Sequence, residues 1–143
     1  MSNTNHSLKI LMNLTKVQSV ISRRFDPLSI HGIGFNDFMI LYVLMQAEGA
    51  GMRRVDLAEK IGLTASGVTR MLLPLEKTGL IKRESNERDA RISYVVLTET
   101  GRQLFEYAKV TASNLAKGII PIDKVKNITI LADLLADLGG NII

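Results

Sequence analysis

The side chains best suited to meet a polyanion gather between residues 53 and 101. Arg53 opens a short amphipathic segment. Thr64, Ser66, Gly67, Thr69 and Arg70 open a second one after a glycine break. Arg88, Asp89 and Arg91 lie in the charged loop Asn-Glu-Arg-Asp-Ala-Arg at 86–91. Arginine pairs bidentately with guanine or with phosphate oxygens, and small residues let a helix backbone approach a groove wall. These residues therefore suit hydrogen bonding and charge pairing with the grooves and phosphates of double-stranded DNA, with Arg88 and Arg91 able to enter a minor groove or grip phosphate. Asp89 alone would repel DNA. Between two arginines it can instead orient Arg91, or Arg88, through a charge-assisted hydrogen bond.

Residues for bond-making chemistry do not converge anywhere. The two histidines, His6 and His31, fall in a polar terminus and a connector. No P-loop, glycine-rich dinucleotide turn, serine elbow or helical metal-ligand pair is present. Asp133 and Asp137 share a helix face and read as solvated carboxylates. There is no cysteine, which excludes disulfides, thiolate-bound zinc, iron–sulfur clusters and thiol-based oxidant sensing. An enzyme is not expected, and neither a cofactor nor a metal.

The elements that must carry these residues follow from composition and periodicity. The 143 residues amount to one domain, 46% apolar but only 5% aromatic, which favours packed helices. Net charge is +4, and residues 53–91 hold nine basic against six acidic side chains. Helices are predicted over about 7–25 (stopped by Asp26-Pro27), 36–47, 53–61, Thr64 or Ser66 to Thr78, and 98–117. A last helix, starting at or after Pro121, reaches Leu138, with Gly139-Gly140-Asn141 frayed beyond it. Residues 28–34 read as a connector. Strands at 81–85 and 92–97 flank the charged loop as a hairpin. At 100° per residue, Val68, Met71, Leu72 and Leu75 form an apolar stripe able to pack on Leu57, Ala58, Ile61 and Leu63. Ser66, Thr69, Arg70, Leu73 and Lys77 face the other way. The connection Gly62-Leu63-Thr64 is short enough for a helix-turn-helix. The longest apolar run, Phe38 to Met45, cannot span a bilayer, which needs about 20 residues. The polar start MSNTNHSLKI lacks a signal-peptide pattern, so no membrane partner is expected.

Asp56-Leu57-Ala58, Ser66-Gly67-Val68-Thr69-Arg70, Leu75-Glu76-Lys77-x-Gly79-Leu80-Ile81-x-Arg83, Asp89-x-Arg91 and Leu97-Thr98-x-x-Gly101 occur in that order. Each fragment is weak alone. Together the chain resembles the MarR family of bacterial winged helix-turn-helix regulators. The resemblance implies one mainly α domain with a small β-hairpin wing. Residues 35–101 would form the winged helix-turn-helix, 98–117 a connecting helix, and 1–34 and 118–143 dimerisation helices. It further implies a cytoplasmic homodimer on a pseudo-palindromic operator, acting as a repressor. The helix at 65–78 would lie in the major groove, with Arg91 in the minor groove and Asp89 as its acidic companion. Members often carry an acidic residue and an arginine where this chain has Leu73-Pro74. Pro74 removes a backbone donor. Leu73 is expected beyond the groove, against the wing or another helix.

The apolar residues of the last helix, Ile128 to Leu138, suit either a dimer interface with the first helix or packing within one chain. Many relatives bind small aromatic acids or phenols, and Met12, His31, Met39 and Tyr42 are the side chains here that could line such a pocket; methionine at helical spacing also serves as core filler. No ligand site is assigned. The competing reading is a winged helix that binds protein, or an antagonist of a related regulator with no operator of its own.

Overall fold

The structure, a computed structural model, describes residues 3–143. Six helices and one hairpin follow in order: α1 (Asn3–Arg24), α2 (Phe35–Gln46), α3 (Arg54–Ile61), α4 (Ala65–Lys77), β1 (Ile81–Ser85), β2 (Ser93–Leu97), α5 (Glu99–Ile119) and α6 (Ile128–Asp137), with 3-10 turns at Asp26–His31 and Ile122–Lys124. The mainly helical class with a two-stranded antiparallel hairpin is as the sequence predicts.

α2 is apolar on all sides, and Phe38, Ile40, Leu41, Val43 and Leu44 are buried. Such a helix belongs in the middle of a domain. It packs against α3, α5 and β2. Phe38, Tyr42 and Phe105 of α5 form an aromatic cluster, with the Phe38 and Phe105 centroids 5.3 Å apart. Phe25, after α1, stacks on Phe35 at 4.0 Å. Leu28 of the following 3-10 turn is fully buried.

Several boundaries differ from expectation for identifiable reasons. α1 begins earlier, at Asn3. The supposed connector after Pro27 contains a 3-10 turn, closed by Gly32 in the left-handed region at φ 75°. α2 starts at Phe35 because Asp37 caps from inside the helix, its carboxylate accepting the Gly34 N–H at 2.9 Å. Pro121 lies before a second 3-10 turn, and α6 starts only at Ile128. The C-terminal residues are not frayed. Lys60 donates to the Asn141 carbonyl at 3.1 Å, and Ile142 packs on the core.

The hairpin pairs Ile81 with Leu97 through to Ser85 with Ser93. A single residue, Met52, adds to its other edge, exchanging two backbone hydrogen bonds with Val95 at 3.0 and 2.7 Å. This bridge was not legible in the sequence. It explains Gly51, which sits at φ 77° where a Cβ would come within 2.7 Å of the Val95 carbonyl oxygen.

The Leu97-Thr98-x-x-Gly101 fragment also has an architectural basis. The Thr98 hydroxyl accepts the Gly101 N–H at 3.0 Å and donates to the Gly79 carbonyl at 2.6 Å. It thus caps α5 and ties it to the end of α4. A Cβ on Gly101 would overlap the Leu80 carbonyl. Glycine lets α5 start directly against the wing root.

α6 and most of α1 lie outside this core, with Ile21 of α1 packed against it. No residue of α6 is buried, and Ile130, Leu131, Leu134, Leu135 and Leu138 are exposed, as are Leu8, Leu11, Met12 and Val17 of α1.

Candidate nucleic-acid interface

α3 and α4 meet through Leu57, Ala58, Val68, Leu72 and Leu75, all buried. Gly62 turns the chain at φ 82°. With the apolar stripe of α4 turned inward, Ser66, Arg70, Leu73 and Lys77 are left exposed. Their spacing of i, i+4, i+7 and i+11 puts them in one row along the helix. Thr69 lies on the flank, its hydroxyl donating to the Ala65 carbonyl at 2.9 Å. Its oxygen can still accept.

Two predicted site residues also serve the helix itself. Thr64 is the N-cap, and its hydroxyl accepts the Gly67 N–H at 3.0 Å. A Cβ on Gly67 would come within 3.0 Å of that oxygen, so glycine here protects the cap as well as keeping the surface small. Pro74 does not end the helix, which continues to Lys77. Leu73 is 44% exposed. The expectation that the wing or another helix covers it is therefore corrected: the narrow stripe of Val68, Leu72 and Leu75 already occupies the inner face.

The wing is built on Asn86, which the sequence reading passed over. Its side-chain oxygen accepts the N–H groups of Arg88 and Asp89 at 2.8 and 3.1 Å, and its amide donates to the Tyr94 hydroxyl at 3.3 Å. An asparagine opening a charged turn was the available signal. Asp89 then holds Arg91 rather than Arg88. One carboxylate oxygen accepts the Arg91 backbone N–H at 3.0 Å and its Nε–H at 3.1 Å, while the other accepts from Nη2 at 3.1 Å. The Arg91 side-chain hydrogen bonds, then its backbone N–H, keep the Asp89 carboxyl below the ordinary aspartate range. The Arg91 side chain is nonetheless 90% exposed. It is oriented and still free to meet a partner. Arg88 is exposed at the wing tip.

Arg53, at the N-cap position of α3, reaches the same cleft as Arg91. That cleft, of about 150 Å³, is also lined by Arg54 and Arg83. Neither was singled out as a site residue. Arg83 pairs with Glu76 at 3.3 Å. Arg53 and Arg54 make no ion pair among the described residues. Four arginines line this one small cleft, and they add positive charge close to the exposed row of α4. Among the described residues no cluster of histidine, aspartate and glutamate could hold a metal.

The model of the MarR family matches residues 36–93, the segment from α2 to the start of β2. An uncharacterised HTH-type transcriptional regulator of Bacillus subtilis, YdgJ, is 30% identical over 134 residues, covering 94% of this chain and 79% of YdgJ. This chain belongs to the MarR family. The winged helix is shared along nearly its full length with BldR, a transcriptional regulator from Sulfolobus solfataricus, at a TM-score of 0.86 and 24% identity, over 96% of this chain and 97% of BldR. The organohalide-sensing regulator RdhR, solved with 2,4-dichlorophenol bound, superposes at a TM-score of 0.80 with 22% identity, over 92% of this chain and 78% of RdhR. The MarR-family chain is a DNA-binding transcriptional regulator and not an enzyme. Among the described residues it has no helix long and apolar enough to cross a membrane.

Of the four side chains considered for a ligand, Met39 alone lines a groove of about 760 Å³ between α1 and α2, together with Phe35, Ile21, Arg23 and Ile142. Tyr42 belongs to the aromatic cluster. His31 is engaged with the Thr111 hydroxyl at 2.8 Å. Met12 is exposed on α1.

Proposed function

We propose that this regulator is a cytoplasmic homodimer that occupies a pseudo-palindromic operator, represses by that occupancy, and is released by a small aromatic acid or phenol. The recognition row of α4 enters the major groove, with Arg70 and Thr69 reading base edges. Ser66 and Gly67 allow the close approach, and Arg53 and Thr64 lie at the helix starts beside the backbone. Arg91, with Arg88, enters the minor groove or grips phosphate. The observation that carries this reading is Arg91 itself, held by Asp89 along one edge of its guanidinium and yet almost fully exposed. A guanidinium oriented by one carboxylate and otherwise open to solvent is suited to an external anion.

The apolar faces of α1 and α6 support a dimer. Leaving that many leucines and isoleucines in water is disfavoured, and a second copy offers a matching surface. Two-fold symmetry would set the recognition helices about one DNA turn apart, roughly 34–36 Å. The groove beside Met39, with Arg23 as its charged lining residue, supports an effector that is apolar with an acidic group. The bound chlorophenol of RdhR is in keeping with that class.

Selecting fragments from random DNA with the purified protein tests the reading. Retained fragments should share two inverted half-sites one turn apart, and binding should weaken steeply with salt. Indifference to DNA at low salt would leave the second reading, a winged helix that binds protein, which the exposed Leu73-Pro74 pair favours.

A further inference from the structure

We propose that Leu73 reads the 5-methyl group of a thymine in each operator half-site. This rests on the DNA-binding reading and adds a specificity residue to it. Leu73 stands in the exposed row between Arg70 and Lys77, one turn from each. An exposed leucine is not in itself unusual. Its setting is: a lone long aliphatic side chain flanked by two cations on the face opposite the buried stripe. Those cations commit the row to a polyanion, and the leucine lies within the same footprint. Side chains on a helix lean toward its N-terminus, so Leu73 leans toward the turn of Arg70, the end that carries Ser66 and Gly67. Pro74 beside it is also exposed and widens the apolar surface.

Leucine can neither donate nor accept a hydrogen bond. A phosphate or a polar base edge packed on it would lose water and gain nothing in exchange. The major-groove edge presents one apolar group, the thymine methyl; adenine, guanine and cytosine offer donors and acceptors there. The partner that fits Leu73 is thus a thymine, next to the base reached by Arg70. A second copy of the chain is a poorer occupant. α1 and α6 hold a far larger exposed apolar surface, and a homodimer would use that first.

The test uses the full-length protein and its selected operator. Each thymine of a half-site is replaced in turn by deoxyuridine, which deletes only the methyl group. At one position wild type should lose about fourfold in affinity, the worth of one buried methyl. Leu73→Ala should bind more weakly than wild type and show no further loss at that position. Since Leu73 is on the surface, the variant's thermal unfolding and sedimentation should match wild type, and a monomeric Leu73→Ala would assign the residue to self-association and overturn the inference. Selected half-sites without a fixed thymine would overturn it too, as would full sensitivity to deoxyuridine retained in Leu73→Ala. A wild-type protein that retains no DNA fragment at any salt removes the DNA-binding reading itself. Retained DNA with uniform tolerance of deoxyuridine removes the Leu73 assignment alone.

Discussion

Asp89→Ala should weaken DNA binding, although it deletes a negative charge from a surface that faces a polyanion. Two effects oppose each other. The repulsion of a single carboxylate for DNA, in water and screened by physiological salt, changes affinity only modestly. Against this stands the ordering of Arg91. Two side-chain hydrogen bonds hold its guanidinium, and a third closes the backbone turn beneath it. Without them the full rotamer freedom of an arginine must be lost on binding, a penalty of up to roughly tenfold or somewhat more. An exposed pair recovers only part of that, so a net loss of about three- to fivefold per wing is expected. A dimer with two wings would multiply it to about tenfold or more. Arg91→Ala should lose more, and should also flatten the dependence of log affinity on log salt by about 0.9 per wing. The double variant should bind no more weakly than Arg91→Ala alone, because Asp89 acts through Arg91. Arg91→Ala should unfold like wild type, the Arg91 side chain being 90% exposed. Fluorescence anisotropy on a labelled operator across a salt series reads all of this. Tighter binding by Asp89→Ala, or additive losses in the double variant, would refute the positioning role. The pH sign follows from the lowered Asp89 value. A depressed carboxylate keeps its charge at every pH above the ordinary aspartate range, and its contribution disappears only on acidification below it. Between pH 6 and 8 the Asp89 charge should therefore contribute no pH dependence to binding.

Further outcomes concern the scaffold. Gly101→Ala should destabilise the protein by about 2–4 kcal/mol in urea unfolding, since its Cβ would overlap the Leu80 carbonyl, backbone that cannot easily yield. Gly118→Ala in the same helix meets nothing within 4 Å and should stabilise by up to about 1 kcal/mol. Pro74→Ala should raise stability by about 1–3 kcal/mol by restoring an N–H to the Arg70 carbonyl; an unchanged midpoint would mean the helix is already relaxed around the ring. Sedimentation at micromolar concentration should report a dimer, and Leu131→Asp with Leu134→Asp should yield monomers. A monomeric wild type would refute the operator geometry.

Local patterns were the readable part of the chain. The phase of α4 separated Val68, Leu72 and Leu75 from Ser66, Arg70 and Lys77, because burial alone fixes which face turns inward. Gly62 and Gly79 marked helix ends through left-handed conformations that few other residues adopt, and Thr64 marked a helix start through a hydroxyl that can accept a backbone N–H. The pairing of Asp89 with an arginine was legible as chemistry, but not the choice of Arg91 over Arg88. That choice depends on the turn made by Asn86, whose side chain takes the Arg88 N–H into the turn itself. The Met52 bridge was invisible for a different reason: one residue has no periodicity, and its partner Val95 is remote in sequence. The cleft of Arg53, Arg54, Arg83 and Arg91 likewise exists only once α3 and the wing have been brought together. The ordered C-terminus was missed because Gly139-Gly140 suggests fraying, whereas the contacts of Asn141 and Ile142 are with Lys60 and with the core surface beside α1 and α2.

These long-range ties bear on how release by an effector could work. Met52 joins the segment before α3 to β2, Thr98 and Gly101 join α5 to the end of α4, and Leu72 packs under the arginine cleft. The distance between the exposed row of α4 and Arg91 is thereby set within one packed unit and is not easily altered. The links from that unit to α1 and the C-terminus run through the Phe25–Phe35 stack, Ile21 packed on the core, the Lys60 contact to Asn141, and Ile142 in the groove with Met39. A ligand in that groove would press on these links and leave the wing undisturbed. On the proposed reading it would act by turning each DNA-binding lobe as a body relative to its dimer helices. The half-site spacing of the dimer would change, while each lobe kept its own fit to DNA. Packed units respond in this all-or-none way because their interiors resist deformation and their boundaries do not.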